Sequence, residues 1–163
     1  EDSCWERGLA QYYVGEFAAG AKQFEQYHRV GALDIENGLW RLMCIAEDEG
    51  IETARATMLV YPDKKRRPFP ALLELYMDRG TAEAVINEAT FNVNSNEEKA
   101  YNLFNAHYYL AKYYEMVDLH ETALKHARTA LEYPIPHFMY ACAQIDAKRL
   151  EATQKPKAVE QKR

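Results

Sequence analysis

Glycine and proline are scarce in this sequence of 163 residues, which contains seven glycines and six prolines. They fall mainly between apolar segments of helical periodicity, an arrangement that disfavours the many tight turns of a β-sandwich or barrel. No run of about 18 apolar residues occurs, so the sequence predicts no transmembrane segment. A chain of this length suits one hydrophobic core. The sequence therefore predicts an all-α protein with a single helical domain over residues 1–153.

Positive charge is also in short supply, because 20 Lys and Arg residues face 25 Asp and Glu residues and leave a net charge of −5. Affinity for phosphates comes from accumulated positive charge, so this balance argues against a general nucleic-acid-binding surface. Protein partners within a larger complex are expected instead. The basic residues Lys64, Lys65, Arg66 and Arg67 lie among prolines and are predicted to form an exposed loop. A solvated loop is the main interpretation, and docking on an acidic neighbour is its best functional use; a nuclear signal, a nucleic-acid contact and an anionic-membrane contact are the alternatives.

Cysteine is rare, and the sequence shows no motif for metal, redox or nucleophilic chemistry. Cys4, Cys44 and Cys142 lie far apart without a C-x-x-C pair. Cys44 and Cys142 are interpreted as small buried apolar side chains, with one intramolecular disulfide as the alternative. No two histidines are four residues apart, and neither a G-x-S-x-G turn nor a glycine-rich phosphate loop is present. We therefore expect no enzyme activity, no cofactor and no metal site.

Apolar residues recur at helical spacing along most of the chain. A capping box of Ser95 and Glu98 is predicted to begin the longest helix. Residues 61–94 are interpreted as an irregular insert, and residues 154–163 as a disordered basic tail. The predicted helices cover residues 2–14, 17–30, 34–50, 51–60, 71–77, 82–89 and 95–114, then a partner helix ending near 133, and a last helix over 138–150.

The most informative stretch is Tyr108-Tyr109-Leu110-Ala111-Lys112-Tyr113-Tyr114. Its leucine, alanine and last tyrosine lie on one face of a helix, and small residues at 123, 127 and 130 allow a second helix to approach closely. With the closing Pro134, this pattern resembles the tetratricopeptide repeat of about 34 residues. The resemblance implies a right-handed superhelix of antiparallel helix hairpins, closed by a C-terminal capping helix.

Two further blocks, residues 7–15 and 39–42, are similar to the middle of a bacterial outer-membrane tetratricopeptide lipoprotein family of adaptors. Residues 109–114 and the segment near 137–138 resemble the last repeat and C-terminal helix of that family. The order of motifs also resembles small chloroplast tetratricopeptide proteins. Because the sequence starts at Glu1 without a methionine, we expect a processed protein, and the resemblance favours the periplasm or the chloroplast.

The resemblance also implies a concave groove lined by the first helix of each hairpin. The function expected from it is a non-catalytic scaffold, an adaptor or assembly factor that binds a peptide or helix of a partner. The alternatives are a permanently bound structural subunit, which would use the insert and the basic loop, and an enzyme, for which the sequence offers no catalytic constellation. The side chains expected to contact the partner are Trp5, Leu9, Tyr13, Tyr108, Lys112 and Tyr113.

Overall fold

The computed structural model describes residues 4–30, 34–61 and 65–154. Within these ranges the chain forms nine α-helices and no β-strand, which confirms the predicted all-α class. Residues 155–163, most of the predicted tail, lie outside the described part. The helices are α1 (Trp5–Tyr13), α2 (Phe17–Arg29), α3 (Ile35–Glu49), α4 (Ile51–Ala56), α5 (Phe69–Tyr76), α6 (Ala82–Thr90), α7 (Asn96–Met116), α8 (His120–Ala130) and α9 (Phe138–Gln154).

The chain divides into two compact units, Glu1–Glu88, here unit 1, and Ala89–Arg163, here unit 2. Helices α1 to α5 belong to unit 1, helices α7 to α9 belong to unit 2, and α6 spans the boundary. Each unit packs its own helices and is described by itself. The single domain predicted over residues 1–153 stays a prediction.

Helix α3 is the centre of unit 1 and packs against α1, α2, α4 and α5. It is buried along its length from residue 35 to residue 45, because apolar side chains occur all round it. Trp40 is fully buried, and the rings of Trp5, Tyr12 and Phe24 surround it at centroid distances of 6.5, 5.1 and 6.5 Å. The core of unit 1 is therefore an aromatic cluster built around one tryptophan.

Both ends of α3 follow the sequence signals. The Asp34 carboxylate accepts a hydrogen bond of 3.0 Å from the backbone N–H of Glu36, as an N-cap should. Gly50, with a φ of 94°, ends α3 and begins α4. Helix α4 ends earlier than the predicted Val60, and the Arg41 guanidinium donates a 2.8 Å hydrogen bond to the Thr57 carbonyl beyond its end.

Two residues of the predicted loop, Tyr61 and Phe69, are buried. Tyr61 is 3% exposed and Phe69 is fully buried as the first residue of α5. Pro70 lies in the first turn of α5, where a missing N–H costs no helical hydrogen bond. The residue with left-handed backbone after α5 is Asp78, with a φ of 61°, and α5 ends at Tyr76, one residue before the predicted end at 77. The start of α5 is thus corrected from residue 71 to residue 69.

Helix α7 begins with the predicted Ser95 cap, although Glu98 reaches back to Asn94 and not to Ser95 itself. The Ser95 hydroxyl accepts from the Glu98 N–H at 3.0 Å, and the Glu98 carboxylate accepts from the Asn94 N–H at 2.7 Å. Helix α7 then packs on α8, which packs on α9. A shared core of small and aliphatic residues joins the three helices: Ala111, Ala123, Leu124, Ala127, Ala147 and Leu150.

Across the described ranges, no helix combines the length and apolarity that crossing a bilayer requires.

Candidate functional site

Helix α1 carries three of the side chains predicted to contact a partner. Trp5 and Tyr13 are half-buried, and their rings lie 6.5 and 6.2 Å from that of Trp40. Leu9 lies between them in sequence and is 6% exposed, so it packs inside unit 1. Of the predicted contact residues on α1, Trp5 and Tyr13 therefore offer accessible surface, and both of their rings pack near the buried Trp40.

Helix α7 carries the other three predicted contact residues. Tyr113 is half-buried, but Tyr108 is 1% exposed and Lys112 is 2% exposed. Tyr108, Lys112 and Leu9 therefore expose almost no surface. This corrects the expectation that these three side chains line an open groove. The helical spacing showed which residues share a face of α7, but only the packed structure shows which face is covered. Partner binding by Trp5, Tyr13 and Tyr113 stays a prediction.

Lys112 lies in a buried network of charges that joins α7 to α9. Its Nζ is 3.2 Å from the Asp146 carboxylate, which also accepts a 3.3 Å hydrogen bond from the Tyr108 hydroxyl. Arg149 pairs with Asp146 at 3.0 Å and with Glu115 at 2.7 Å. The hydrogen bond with Glu115 raises the pKa of the Arg149 guanidinium above its ordinary value. Two cations and two anions thus pair with one another, with Lys112 and Asp146 buried in unit 2 and Arg149 at its surface.

This network has a weak signal in the sequence. A lysine in the middle of the apolar stretch of α7 requires a buried anion, because an unpaired charge in the interior is strongly unfavourable. Asp146 and Arg149 are three residues apart and therefore share a face of α9. The sequence did not show that the two helices meet at these residues, since they are separated by more than thirty positions.

A second cluster brings together two histidines from α7 and α8. The Nδ1 atoms of His107 and His126 are 2.9 Å apart. Tyr133 flanks His107 and Tyr114 flanks His126, at centroid distances of 6.1 and 5.3 Å. Burial lowers the pKa of His107, and burial followed by the charges of His107 and Lys125 lowers the pKa of His126 to about 4. Both imidazoles are therefore neutral at pH 7.

The basic loop is described from Lys65 onward, and Lys64 lies outside the described residues. Lys65 is exposed and Arg67 is half-buried. The Arg66 guanidinium lies 2.6 Å from the Asp34 carboxylate, 2.7 Å from that of Glu36, and over the Phe69 ring at 4.2 Å. Much of the charge on Arg66 is thus neutralised within unit 1, at the start of α3. Docking through this loop stays a prediction.

The three cysteines are free thiols: Cys4 is exposed, Cys44 buried and Cys142 half-buried. The disulfide alternative is therefore not observed. Among the residues that the structure describes, no group of three or more His, Cys, Asp or Glu side chains is placed to hold a metal ion.

Comparison with known proteins identified no relative: no protein-family model matches the chain, and no curated protein sequence matches it significantly.

Proposed function

We propose that this chain is a non-catalytic, tetratricopeptide-like scaffold that binds a peptide or helix of a protein partner. The observation that supports it is the contact between α7 and α8. Ala111, Ala123 and Ala127 are each at most 2% exposed at this contact, and their small side chains let the two helices pack closely. Close pairs of this kind are the unit of tetratricopeptide repeats, and α9 takes the place of a terminal helix on such a pair.

The partner-binding surfaces are assigned to three of the predicted contact residues whose aromatic rings remain half-exposed. Trp5 and Tyr13 form a candidate surface of unit 1, and Tyr113 belongs to a separate candidate surface of unit 2. A half-buried aromatic ring is already fixed by its neighbours, so it gives contact area to a partner at a small cost in side-chain entropy. Affinity would come from a few such anchors, with charged side chains at the rim adding specificity.

The first experiment is crosslinking of the protein in its native extract, followed by mass spectrometry to identify the partner and the joined residues. Binding of that partner is then measured with Tyr113→Ala and with Tyr101→Ala, a half-buried tyrosine on the same helix that serves as the matched control. We expect Tyr113→Ala to weaken binding about tenfold or more, as loss of an anchor worth about 1.4 kcal/mol would. A folded Tyr13→Ala/Tyr113→Ala variant that binds normally would refute the surface assignment.

A permanently bound subunit is the second candidate, favoured by apolar side chains that unit 2 leaves in solvent. Phe91, Phe138 and Ile145 are 61, 44 and 57% exposed. An obligate subunit exposes such groups when it is isolated and covers them in its complex. Self-association of the purified chain, together with crosslinks from Lys65 to several large proteins, would support this candidate. A monomeric chain crosslinked near Tyr113 to one short segment would support the scaffold.

A further inference from the structure

The turn between α1 and α2 carries a run of accessible apolar side chains. Val14, the first residue after α1, is 70% exposed. Tyr13 and Phe17 on either side of the turn are half-buried, and Ala18 is exposed in the first turn of α2. We call Tyr13, Val14, Phe17 and Ala18 the turn surface. Neighbouring apolar side chains that remain accessible to solvent are a mark of interaction sites.

The aromatic part of the turn surface is held in place by the core of unit 1. The Tyr12 ring packs on both of its aromatic rings, at centroid distances of 5.6 Å from Tyr13 and 5.6 Å from Phe17. Tyr12 and Tyr13 in turn pack on the buried Trp40, at 5.1 and 6.2 Å. A partner would therefore meet side chains whose positions are already fixed, which lowers the entropic cost of binding.

The antiparallel packing of α2 on α3 brings the start of α2 beside the end of α3. Gly20 lies against Cys44, since an added Cβ at position 20 would be 2.9 Å from the Cys44 Sγ. One turn later in α2 and one turn earlier in α3, the Phe24 ring stacks on Trp40 at 6.5 Å. The same register, continued in the other direction, brings the first residue of α2 level with position 47 of α3.

Three exposed carboxylates therefore border the turn surface. Glu47 and Asp48 follow Cys44 by three and four residues, so they lie on the face of α3 that is directed towards α2. Glu16 is the residue immediately before α2. Within the described ranges, the side chains of Glu16, Glu47 and Asp48 take part in no ion pair and no hydrogen bond.

The stability of the helices does not account for the two carboxylates on α3. This helix has no basic residue in its last turn, and negative charge at a helix C-terminus is unfavourable because the helix dipole is negative there. Along α1 and α2, the basic residues nearest to the turn are Arg7 and Lys22, each more than one helical turn away. Apolar surface bordered by carboxylates is complementary to a segment that carries positive charges beside apolar side chains.

We propose that the turn surface docks a basic, apolar peptide segment of a protein partner. Apolar side chains of the segment would contact Val14 and Phe17, and its Lys or Arg side chains would pair with the three carboxylates. Nucleic acids and anionic lipids do not fit, because the same carboxylates repel phosphates. The inference rests on the proposed scaffold function and specifies the chemistry of the partner that unit 1 binds.

The test begins with selection from a phage-displayed library of random peptides, with the full chain as bait. We expect the selected peptides to be enriched in Lys and Arg together with aromatic or aliphatic residues. Enrichment without an excess of basic residues overturns the inference and leaves the scaffold proposal standing. Failure to enrich any peptide counts against both.

The affinity of the most enriched peptide is then measured by fluorescence anisotropy with charge variants of the full chain. One variant replaces the three bordering carboxylates by amides: Glu16→Gln, Glu47→Gln and Asp48→Asn. Its control changes the net charge equally, at three exposed glutamates of unit 2: Glu97→Gln, Glu121→Gln and Glu132→Gln. We expect the first variant to bind about tenfold more weakly at low salt and the control to bind normally. Equal losses overturn the inference, because net charge alone would then explain them.

The apolar contact is tested with Val14→Ser and Val60→Ser. Val60 is 83% exposed and precedes Tyr61, which packs on His28 at the opposite end of α2. Val14→Ser should weaken binding about threefold or more, and Val60→Ser should leave it unchanged. Circular dichroism establishes that all variants fold. Equal affinities of the two serine variants overturn the inference. A dimer of the purified chain that Val14→Ser dissociates also overturns it, since a second copy would then occupy the turn surface.

Discussion

The Nδ1 atoms of His107 and His126 face each other at 2.9 Å, while the centroids of their rings are 5.2 Å apart. The difference between these distances is about the width of one imidazole ring, so the two nitrogens lie close to the line that joins the ring centres. One nitrogen must donate and the other accept, which the neutral pair does with a single N–H between the rings. A second proton at the accepting Nδ1 would place two N–H groups against each other.

The histidine pair predicts that acid destabilises the protein. In the unfolded chain both histidines titrate near their ordinary pKa of 6.5, whereas in the folded protein the pKa of His126 is lowered to about 4. The unfolded state therefore binds more protons between these values, and the stability contributed by the neutral pair, complete above pH 6.5, is lost as the pH falls towards 4. Urea unfolding at pH 7.5, 6.5, 5.5 and 5.0 should show a progressive decrease in the free energy of unfolding.

The matched variants for this prediction are His126→Asn and His120→Asn. Asparagine places a neutral amide near the position of Nδ1 and does not titrate, so His126→Asn should flatten the pH dependence. His120 is an exposed residue of the same helix, and its replacement should leave the wild-type slope. Equal slopes for both variants would show that the pair does not cause the acid sensitivity.

The buried Lys112 predicts a large loss of stability when its charge is removed. Lys112→Met leaves the Asp146 carboxylate with Arg149 and Tyr108 but without its most buried cation. Breaking one partner of a buried ion pair costs about 3 kcal/mol or more, because the remaining charge stays desolvated. Lys148→Met, at an exposed position of α9, should change the free energy of unfolding by less than about 0.5 kcal/mol. Chemical denaturation of both variants tests this difference.

The contact between α1 and α2 predicts that Gly8 does not tolerate a side chain. A Cβ at this position would lie 2.8 to 3.0 Å from three atoms of the Phe24 ring, and Phe24 is fully buried. Gly8→Ala should therefore cost about 1–3 kcal/mol through overpacking. A smaller residue at 24 relieves the clash, so the cost of Gly8→Ala should be lower in a Phe24→Leu background. Additive costs in this double-mutant cycle would contradict the packing explanation.

The N-cap of α7 predicts a smaller, local effect. Ser95→Ala removes the oxygen that accepts from the Glu98 N–H and should cost about 1 kcal/mol. Asn96 is exposed at the next position, and Asn96→Ala serves as the control because the serine cap stays in place. Thermal unfolding should give a lower midpoint for Ser95→Ala alone. A midpoint that Asn96→Ala lowers more than Ser95→Ala does would show that Ser95 does not stabilise the start of α7.

Local signals predicted much of the helical structure. Asp34 and Ser95 accept the capping hydrogen bonds expected of them, and Gly50 ends α3 with a positive φ. These features depend on neighbours within a few residues, so the sequence carries all the information they need. The start of α5 was missed because Phe69 lies between two prolines, a pattern typical of loops but also compatible with the first turn of a helix.

The candidate site was predicted less well, because exposure depends on residues far away in sequence. Tyr108 and Tyr113 belong to the same apolar stretch of α7, yet Tyr108 is 1% exposed and hydrogen-bonded to Asp146. Gln23 is a polar residue of α2 and yet is 4% exposed, since the interior of unit 1 reaches further round α2 than the apolar spacing indicates. Periodicity identifies a helix face, whereas burial depends on what packs against it.

The sequence alone determined that this chain is helical and where most of its helices begin and end, because capping and helical periodicity act over a few residues. Only the tertiary structure decided which polar groups meet. It placed His107 against His126 and Lys112 against Asp146. Such contacts join residues that are distant along the chain, and they are favourable only once packing has removed water from around them.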